Sequence, residues 1–286
     1  MRFFIVFVAF IVFVVVAISF HRPIPEKLTV QEDAKTQRSV GVIFYEGDGV
    51  PQDYDKAREW FEKSAAQGDA EAQYNLGLMY VLAHGVAQDY DKAREWFEKS
   101  AVQGYANAQY NLGVMYDEGR GGPQDGVKAR EWFEKAAVQG LAPAQYNLGS
   151  AYDEGRGGPP DGVKAREWYE KAAAQGDKLA QTNLGVMYNQ GRGGPKDSVK
   201  AREWYEKAAV QGEGMAQFNL GVMYYEGENV PQDFVEAYKW ADIAAVGGLV
   251  EALELKEAAA VQMNQDSLMK AKALAQEFLE KRKGRP

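Results

Sequence analysis

The sequence of 286 residues contains no cysteine. The chain can therefore form no disulfide, and it offers neither a thiolate nucleophile nor a sulfur ligand for a metal ion. It also lacks an Asn-x-Ser/Thr sequence, the acceptor of N-linked glycans. This absence favours a bacterial envelope protein over one that passes through a eukaryotic secretory route.

Histidine is almost as scarce, with only His21 and His84 in the chain. A Ser-His-Asp or Cys-His site needs a base that a third group orients beside the nucleophile. His84 is the candidate base, and its neighbours Ala83, Gly85 and Val86 supply no partner. Two distant histidines also do not suggest a zinc site. We therefore predict no enzymatic activity, no metal site and no bound cofactor.

Basic residues are fewer than acidic ones, and the resulting formal net charge of −8 argues against a nucleic-acid partner. The basic run from Lys281 to Arg285 is interpreted as the end of a helix, where positive charge complements the helix dipole.

What the chain does contain is a repeat of 36 residues. Lys-Ala-Arg-Glu-Trp-Phe-Glu-Lys-Ser-Ala occurs at 56–65 and again at 92–101. A second motif, Ala-Gln-Tyr-Asn-Leu-Gly, begins at Ala72, Ala108 and Ala144. Such a period indicates stacked supersecondary units rather than one closed core. All six tryptophans keep the same step: Trp60, Trp96, Trp132, Trp168, Trp204 and Trp240.

Each repeat is predicted to form two helices, as the unit at 106–141 illustrates. Gly119 and the following Gly-Gly-Pro run end the first helix, because glycine suits a helix C-cap and proline cannot continue a helix. Asp125 is the predicted N-cap of the second helix. We expect the aromatic pair of each second helix, here Trp132 and Phe133, to pack between units. The apolar stripe of the first helix is Ala108, Leu112, Gly113, Met115 and Tyr116.

With these motifs the unit resembles a Sel1-like repeat, a relative of the tetratricopeptide repeat with a longer turn between its helices. The match covers residues 35–252 in six tandem copies. The resemblance implies an all-α fold, a right-handed superhelical solenoid of six 36-residue helix pairs. The first copy departs from the pattern at Ser39 and Phe44, as suits an end unit. The second departs in its turn, at Ala83, His84 and Ala87.

The pattern decays after the sixth copy. Residues 253–286 still support two helices, but no tryptophan or Leu-Gly marks them. We interpret them as a degenerate unit that caps the array and ends in the basic tail, since a terminal repeat needs a polar outer face. Residues 21–34 are predicted to be a linker before the first copy.

An uncharged apolar segment lies at the N-terminus, from Phe3 to Phe20. It is either a signal peptide, with Ala17-Ile18-Ser19 as a small-x-small cleavage site, or a retained membrane anchor within residues 1–20. As a helix it would span about 27 Å, close to the thickness of a hydrocarbon core. Both alternatives predict an exported protein that is periplasmic, secreted or anchored to the membrane by residues 3–20.

Pairs of carboxylates begin at Asp117 and Asp153, at the predicted C-terminal ends of first helices, where the helix dipole disfavours negative charge. Either Arg120 and Arg156 compensate them, or they form an acidic patch that favours ligands carrying Lys or Arg. The Gly-Arg-Gly-Gly segments that follow recur at the repeat period, so they are interpreted as turns and not as phosphate-binding loops.

One row of polar and aromatic residues is the predicted binding site for a protein or peptide. The resemblance to tetratricopeptide arrays implies that first helices line a concave face. Asparagine can donate to and accept from an extended peptide backbone, and tyrosine supplies rigid apolar contact. Alternatively, each asparagine bonds to the neighbouring helix and sets the repeat spacing. The predicted residues are Tyr74, Asn75, Tyr110, Asn111, Asp117, Tyr146, Asn147, Asp153, Asn183, Asn189, Phe218 and Asn219.

The predicted function is therefore an exported scaffold or adaptor that binds proteins or peptides. Cysteine-rich exported proteins with these repeats have been described as β-lactam-binding or β-lactamase-like, which is the first alternative, although this chain lacks every cysteine. A purely structural spacer in the envelope is the second alternative.

Overall fold

A computed structural model describes residues 33–227 and 230–283 of the chain. The predictions for the apolar segment 3–20 and for nearly all of the linker lie outside the described residues. Within the described ranges, no helix is both long and apolar enough to cross a membrane.

Every regular element in the described residues is an α-helix, and twelve of the fourteen form six consecutive pairs. The predicted all-α solenoid of helix pairs is confirmed. In chain order the helices are α1 Ala34–Glu46, α2 Tyr54–Ala66, α3 Ala70–Leu82, α4 Tyr90–Val102, α5 Ala106–Glu118, α6 Gly126–Val138, α7 Ala142–Glu154, α8 Gly162–Ala174, α9 Lys178–Gln190, α10 Ser198–Val210, α11 Gly214–Glu226, α12 Phe234–Val246, α13 Glu251–Val261 and α14 Gln265–Lys283.

The helices form two compact units. The first unit extends to Met115 and also includes Gly119–Pro123, so it holds α1 to α4 and most of α5. The second comprises Tyr116–Glu118 and the chain from Gln124 onwards, with α6 to α14. Within each unit the two helices of a pair pack against each other, and the last helix, α14, packs against α12.

Short polar and glycine signals set the helix ends. Asp125 is the N-cap of α6, and its carboxylate accepts the Lys128 N–H at 3.0 Å. Gly119 is the C-cap of α5 with φ 70°, a left-handed conformation that glycine adopts without steric cost. Both caps agree with the sequence prediction. Asp53 is the N-cap of α2 in the same way: its carboxylate accepts the Lys56 N–H, and this bond lowers the pKa of Asp53.

The core of the first, second, fourth and fifth pairs contains a close approach between a glycine of the first helix and an aromatic ring of the second. A Cβ atom on Gly77 would lie 2.5 Å from the Phe97 ring, and one on Gly185 would lie 2.5 Å from the Tyr205 ring. Both rings are at most 2% exposed. Any side chain on these glycines would therefore push the two helices apart.

The prediction for the tryptophans is only partly right. Five of the six are half-buried, and only Trp240 is buried. Consecutive residues of a helix are rotated by about 100°, so the tryptophan cannot point into the core alongside the phenylalanine or tyrosine that follows it. Instead a lysine three residues later covers the ring: the Lys135 ammonium lies 3.7 Å from the centroid of Trp132.

We therefore expect the two aromatic residues of α6 to differ in their effect on stability. Phe133 is 0% exposed, so Phe133→Ala should lower the free energy of unfolding by about 3–5 kcal/mol through loss of burial and the cavity left behind. Trp132→Ala should lower it by less, because its half-exposed ring buries less area. Urea unfolding of both variants checks this, and an equal or larger loss for Trp132→Ala would contradict the assignment of the core.

The turn after α3 has an unusual backbone. Ala83 is the C-cap of α3 with φ 58°, and it is the only residue other than glycine with a positive φ in the described chain. The five other first helices end at a glycine in this place. The irregular turn predicted from Ala83, His84 and Ala87 therefore keeps the shared left-handed cap, at a steric cost to the alanine.

Replacing this residue should stabilise the protein. Ala83→Gly removes the Cβ clash, and we expect the free energy of unfolding to rise by about 1 kcal/mol. The matched control is Ala273→Gly in the exposed middle of α14, which should lower it by about 0.5–1 kcal/mol. Thermal and urea unfolding distinguish the two. A loss of stability in Ala83→Gly would mean that the left-handed cap carries no strain.

Two further helices follow the sixth pair. The exposed residues of α14 include Met269 as well as polar pairs: Gln276 bonds to Glu280, and Lys281 pairs with Glu277. The C-terminal end of α14 contacts the end of α10, where the Arg282 guanidinium donates to the Gln211 carbonyl. That residues 253–286 act as a cap stays a prediction, because Leu253, Val261 and Met269 are also exposed in this segment.

Candidate functional site

Nine of the predicted binding residues occupy two adjacent positions of the first helices, which we call the first-helix face. It comprises the two positions before each Leu-Gly: Tyr74 and Asn75, Tyr110 and Asn111, Tyr146 and Asn147, Thr182 and Asn183, and Phe218 and Asn219. All are half-buried except Thr182, which is buried. The leucine and glycine that follow point into the core. The face therefore offers partly accessible aromatic and amide groups within each unit.

Two asparagines of this face are used to join neighbouring copies. In the second unit, Asn183 donates to the Tyr169 hydroxyl at 3.2 Å and also shares a hydrogen bond with Tyr146. In the first unit, Asn111 shares a hydrogen bond with Tyr74. These two residues take the spacing role that the sequence left open as an alternative to ligand binding.

The remaining asparagines differ from these two. Asn147 and Asn219 make no hydrogen bond to another described residue of the second unit, and Asn75 makes none within the first. For Asn219 one difference is visible in the preceding copy. The residue in the place of Tyr146 is Thr182, whose short side chain instead donates to the Lys178 carbonyl. Within the second unit, these two amides thus have no hydrogen-bond partner.

The tyrosines beside these amides stay neutral. Burial raises the pKa of Tyr146 and of Tyr74, and it raises the pKa of Tyr169 as well. A tyrosine that resists deprotonation serves as a hydrogen-bond donor and an apolar surface, not as a nucleophile.

The carboxylates at the edge of the face are neutralised by arginines of the following copy. Asp117 pairs with Arg156, and Asp153 pairs with Arg192, each across 39 residues. The Arg156 guanidinium also bonds to Glu154 at 2.9 Å. Of the two alternatives that the sequence left open, the structure therefore shows carboxylates compensated by arginine and not a free acidic patch.

Two further predicted residues of this edge are accounted for. Arg120, a predicted partner of Asp117, lies over the Tyr90 ring at 5.5 Å from its centroid. Asn189 accepts a hydrogen bond from the Ser198 hydroxyl at 3.3 Å, so its side chain is also engaged within its own copy.

The prediction that His84 has no partner is wrong. Its Nδ1 lies 2.9 Å from the Tyr45 hydroxyl, and its ring stacks on Tyr54 at 4.4 Å between centroids. The pair spans 39 residues, the separation that also joins Asp117 to Arg156. The repeat period could have revealed it, because His84 stands where later copies have arginine. Tyr45, whose pKa is raised by burial, gives the imidazole a structural partner and not a nucleophile.

Sequence reasoning also missed a set of buried glutamines. Gln73 is 6% exposed and donates through Nε2 to the Ala65 carbonyl at the end of the preceding second helix. Its Oε1 accepts from Gln103 at 2.8 Å. The signal was the glutamine of Ala-Gln-Tyr-Asn-Leu-Gly, which served only as a marker of the period. The same carbonyl bond recurs in the four later copies, at Gln109, Gln145, Gln181 and Gln217.

The described residues contain little that could support catalysis. Across 33–227 and 230–283, no three histidine or carboxylate side chains are grouped so as to hold a metal ion. The Ser-x-x-Lys spacing typical of β-lactam-reactive serines occurs at Ser267 and Lys270, in the first turn of α14. General-base lysines are desolvated, whereas Lys270 is exposed. This pair therefore gives no support to β-lactam chemistry.

Comparison with known proteins agrees with the repeat architecture. The structure of a Sel1 repeat protein from Oxalobacter formigenes is 30% identical with a TM-score of 0.71, covering 77% of this chain and 90% of that one. A protective antigen present in uropathogenic Escherichia coli strains, which displays an SLR fold, is 33% identical with a TM-score of 0.59. That match covers 87% of this chain, and the chain spans 62% of the length of the Escherichia coli protein. No curated protein matches.

The family model for the Sel1 repeat matches six consecutive stretches, at residues 34–69, 70–105, 106–141, 142–177, 178–213 and 214–248. These stretches contain the six helix pairs and begin at the first residue of a first helix each time. The chain therefore belongs to the Sel1 repeat family.

Proposed function

We propose that the chain is a scaffold or adaptor that binds an extended segment of another protein on the first-helix face of its second unit. The observation that carries this proposal is the pair of half-buried amides at Asn147 and Asn219 that no described residue of the unit satisfies. Sel1 repeats generally mediate protein–protein interaction, which supports the same class of function.

The chemistry of the face suits a peptide backbone. Each amide that the second unit leaves unsatisfied can donate to a peptide carbonyl and accept from a peptide N–H. Tyr146 and Phe218 precede the two amides and supply rigid apolar surface for the ligand's side chains. Asn183, in the copy between them, is occupied by Tyr169, so the ligand would contact the amide of every second copy and pass over the one between.

The charged groups at the edge of the face are already paired, so we infer that the face does not recognise its ligand through charge. Asp117 and Asp153 already pair with arginines, so they offer little attraction to a basic ligand. The preference for Lys- or Arg-bearing ligands that an acidic patch would give is thereby weakened. We infer that hydrogen bonding and apolar contact contribute most of the affinity.

The test starts from a partner captured by the purified array without residues 1–20 and identified by mass spectrometry. Each amide contributes about 0.5–1.5 kcal/mol, so Asn147→Ala or Asn219→Ala alone should weaken binding by roughly 2–10-fold. The double variant should weaken it by roughly 5–150-fold, because the two sites are far apart and their effects add. Isothermal titration calorimetry on full-length variants measures these changes.

The matched control is Asn183→Ala. This change removes a bond between copies, so it should lower the melting temperature and leave the affinity of the folded protein nearly unchanged. A partner that binds the double variant with native affinity would exclude the first-helix face. Turnover of a β-lactam by the purified chain would favour the enzymatic alternative over the scaffold. An affinity that falls steeply between about 0.05 and 0.5 M salt would contradict recognition without charge.

We also propose that the array functions outside the cytoplasm, on the basis of the apolar segment from Phe3 to Phe20 and the small residues Ala17 and Ser19. N-terminal sequencing of protein purified from a bacterial cell envelope should give a start near Phe20 if the segment is cleaved, or an intact Met1 if it is an anchor. Repeats that resist protease added outside the cytoplasmic membrane, and become sensitive only after lysis, would contradict export in either form.

A further inference from the structure

Three second helices of the second unit, α6, α8 and α10, carry an exposed valine as their second residue. Val127 is 55% exposed, Val163 is 56% exposed and Val199 is 50% exposed. The first two copies have the exposed Asp55 and Asp91 in the same place, so the repeat itself does not require an apolar residue there. One exposed valine is common on a protein surface, but a row of three in consecutive copies indicates an interaction surface.

Each of these valines begins an exposed stripe along its helix. Residues four, eight and eleven positions further on lie on the same side, because an α-helix has about 3.6 residues per turn. We call these three surfaces the outer stripes, and all of their residues are exposed. They comprise Val127, Glu131, Lys135 and Val138 of α6, Val163, Glu167, Lys171 and Ala174 of α8, and Val199, Glu203, Lys207 and Val210 of α10.

The last second helix shows that this side of the helix can pack against another helix. In α12 the corresponding residues are Val235, Lys239, Ile243 and Val246. Val235 packs on a cluster that includes Ala271 of α14, and Ile243 is 1% exposed. The adjacent Trp240 ring lies 5.4 Å from the Phe278 ring of α14. Within the described part of the second unit, the same side is thus a helix contact in α12 and uncovered in α6, α8 and α10.

The charges in the middle of the outer stripes define what could cover them. Each stripe has a glutamate followed four residues later by a lysine. Within the second unit, Glu131 and Glu167 form no ion pair with another described residue. Lys135 lies over the Trp132 ring, and an ammonium in that place still has N–H donors for a carboxylate. An occupant that pairs with both charges therefore carries a lysine and a glutamate in the opposite order along the surface.

The chain itself has this complementary surface. When two identical stripes lie antiparallel, the first residue of one meets the last residue of the other. Val127 then meets Val138 of the partner subunit, Glu131 meets Lys135 of the partner subunit, and the reverse pairs form by symmetry. We propose that two copies of the chain associate through the outer stripes of α6, α8 and α10, with each helix antiparallel to the same helix of the other copy.

The outer stripes combine apolar contact at their ends with charge pairing in the middle, which fixes the register of the two copies. The first unit does not continue this pattern. If α4 met its counterpart in the same way, Asp91 would face Val102 of the partner subunit, and a carboxylate against an aliphatic side chain is unfavourable. The association is therefore confined to the second unit. It uses no residue of the first-helix face, so it does not depend on the proposed function.

Sedimentation velocity of the full chain in a mild non-ionic detergent measures the association. We expect a dimer with a dissociation constant of roughly 1–100 μM, because exposed ion pairs and small aliphatic contacts each contribute little. A triple variant, Val127→Asp, Val163→Asp and Val199→Asp, should weaken it at least about 10-fold, since each carboxylate faces an aliphatic residue. The variant should fold, because Asp55 and Asp91 occupy this position in α2 and α4.

The matched control is Leu179→Glu. Leu179 is 42% exposed in α9 of the same unit, and Glu71 occupies its position in α3. The change removes an exposed apolar side chain and adds a negative charge outside the outer stripes, so this variant should associate like the native chain. Circular dichroism checks that each variant is folded.

Cysteine cross-linking tests the antiparallel register, because the chain has no cysteine of its own. A mixture of one chain with Val163→Cys and another with Ala174→Cys should form a covalent dimer under oxidising conditions on a non-reducing gel. Neither variant should do so alone, since the two identical positions would lie about 16 Å apart along the antiparallel helices.

Three outcomes would overturn the proposal. The native chain could remain a monomer at about 100 μM, above the dissociation constant expected for this contact. The triple variant could associate like the native chain, so that another surface holds the copies together. Val163→Cys could cross-link alone while the mixture gives no further product, which would mean a parallel contact. None of these outcomes changes the ligand affinity expected for Asn147→Ala or Asn219→Ala, so the two proposals fail separately.

Discussion

Each described junction between copies depends on one hydrogen bond that crosses it, from a buried glutamine amide to the last alanine carbonyl of the preceding second helix. Gln145 and Ala137 form this bond at 3.0 Å. The donor is almost fully buried, so leaving it unpaired would cost about 1–3 kcal/mol. The bond therefore fixes the register of each first helix against its neighbour, and the glycine–aromatic contact inside the first, second, fourth and fifth pairs fixes the second helix in turn.

This constraint explains which side chains are free to vary. The glutamine, leucine and glycine of a first helix all serve a junction or a core, whereas the two residues between them face outward. There the hydrogen bonds of an asparagine depend in part on the copy before it. Asn183 meets Tyr146 and becomes structural, while Asn219 meets the shorter Thr182 and stays unsatisfied. An unsatisfied amide thus occurs where a neighbour is shorter, with no change in the asparagine itself.

The repeat period was sufficient to predict the helix pairs and caps such as Asp125 and Gly119, because these depend on residues close in the chain. It failed where the deciding partner lies in another copy. His84 seemed isolated among Ala83, Gly85 and Val86, yet its contacts are Tyr45 and Tyr54. The prediction also failed for Trp132, which is partly exposed while the adjacent Phe133 is buried. The motif treats the two aromatic residues as a pair, but adjacent residues of a helix point in different directions.

The pairs that span 39 residues show how the array tolerates this variation. The first junction joins Tyr45 to His84, whereas a later one joins Asp153 to Arg192. The chemistry changes from a stacked imidazole to an ion pair, but the turn residue still reaches back to the same place on the preceding first helix. Such a pair lies at the surface, where an ion pair contributes only about 0–1 kcal/mol. The buried glutamine and glycine carry the geometry, so the rim can change its charge while the spacing of the first-helix face is kept.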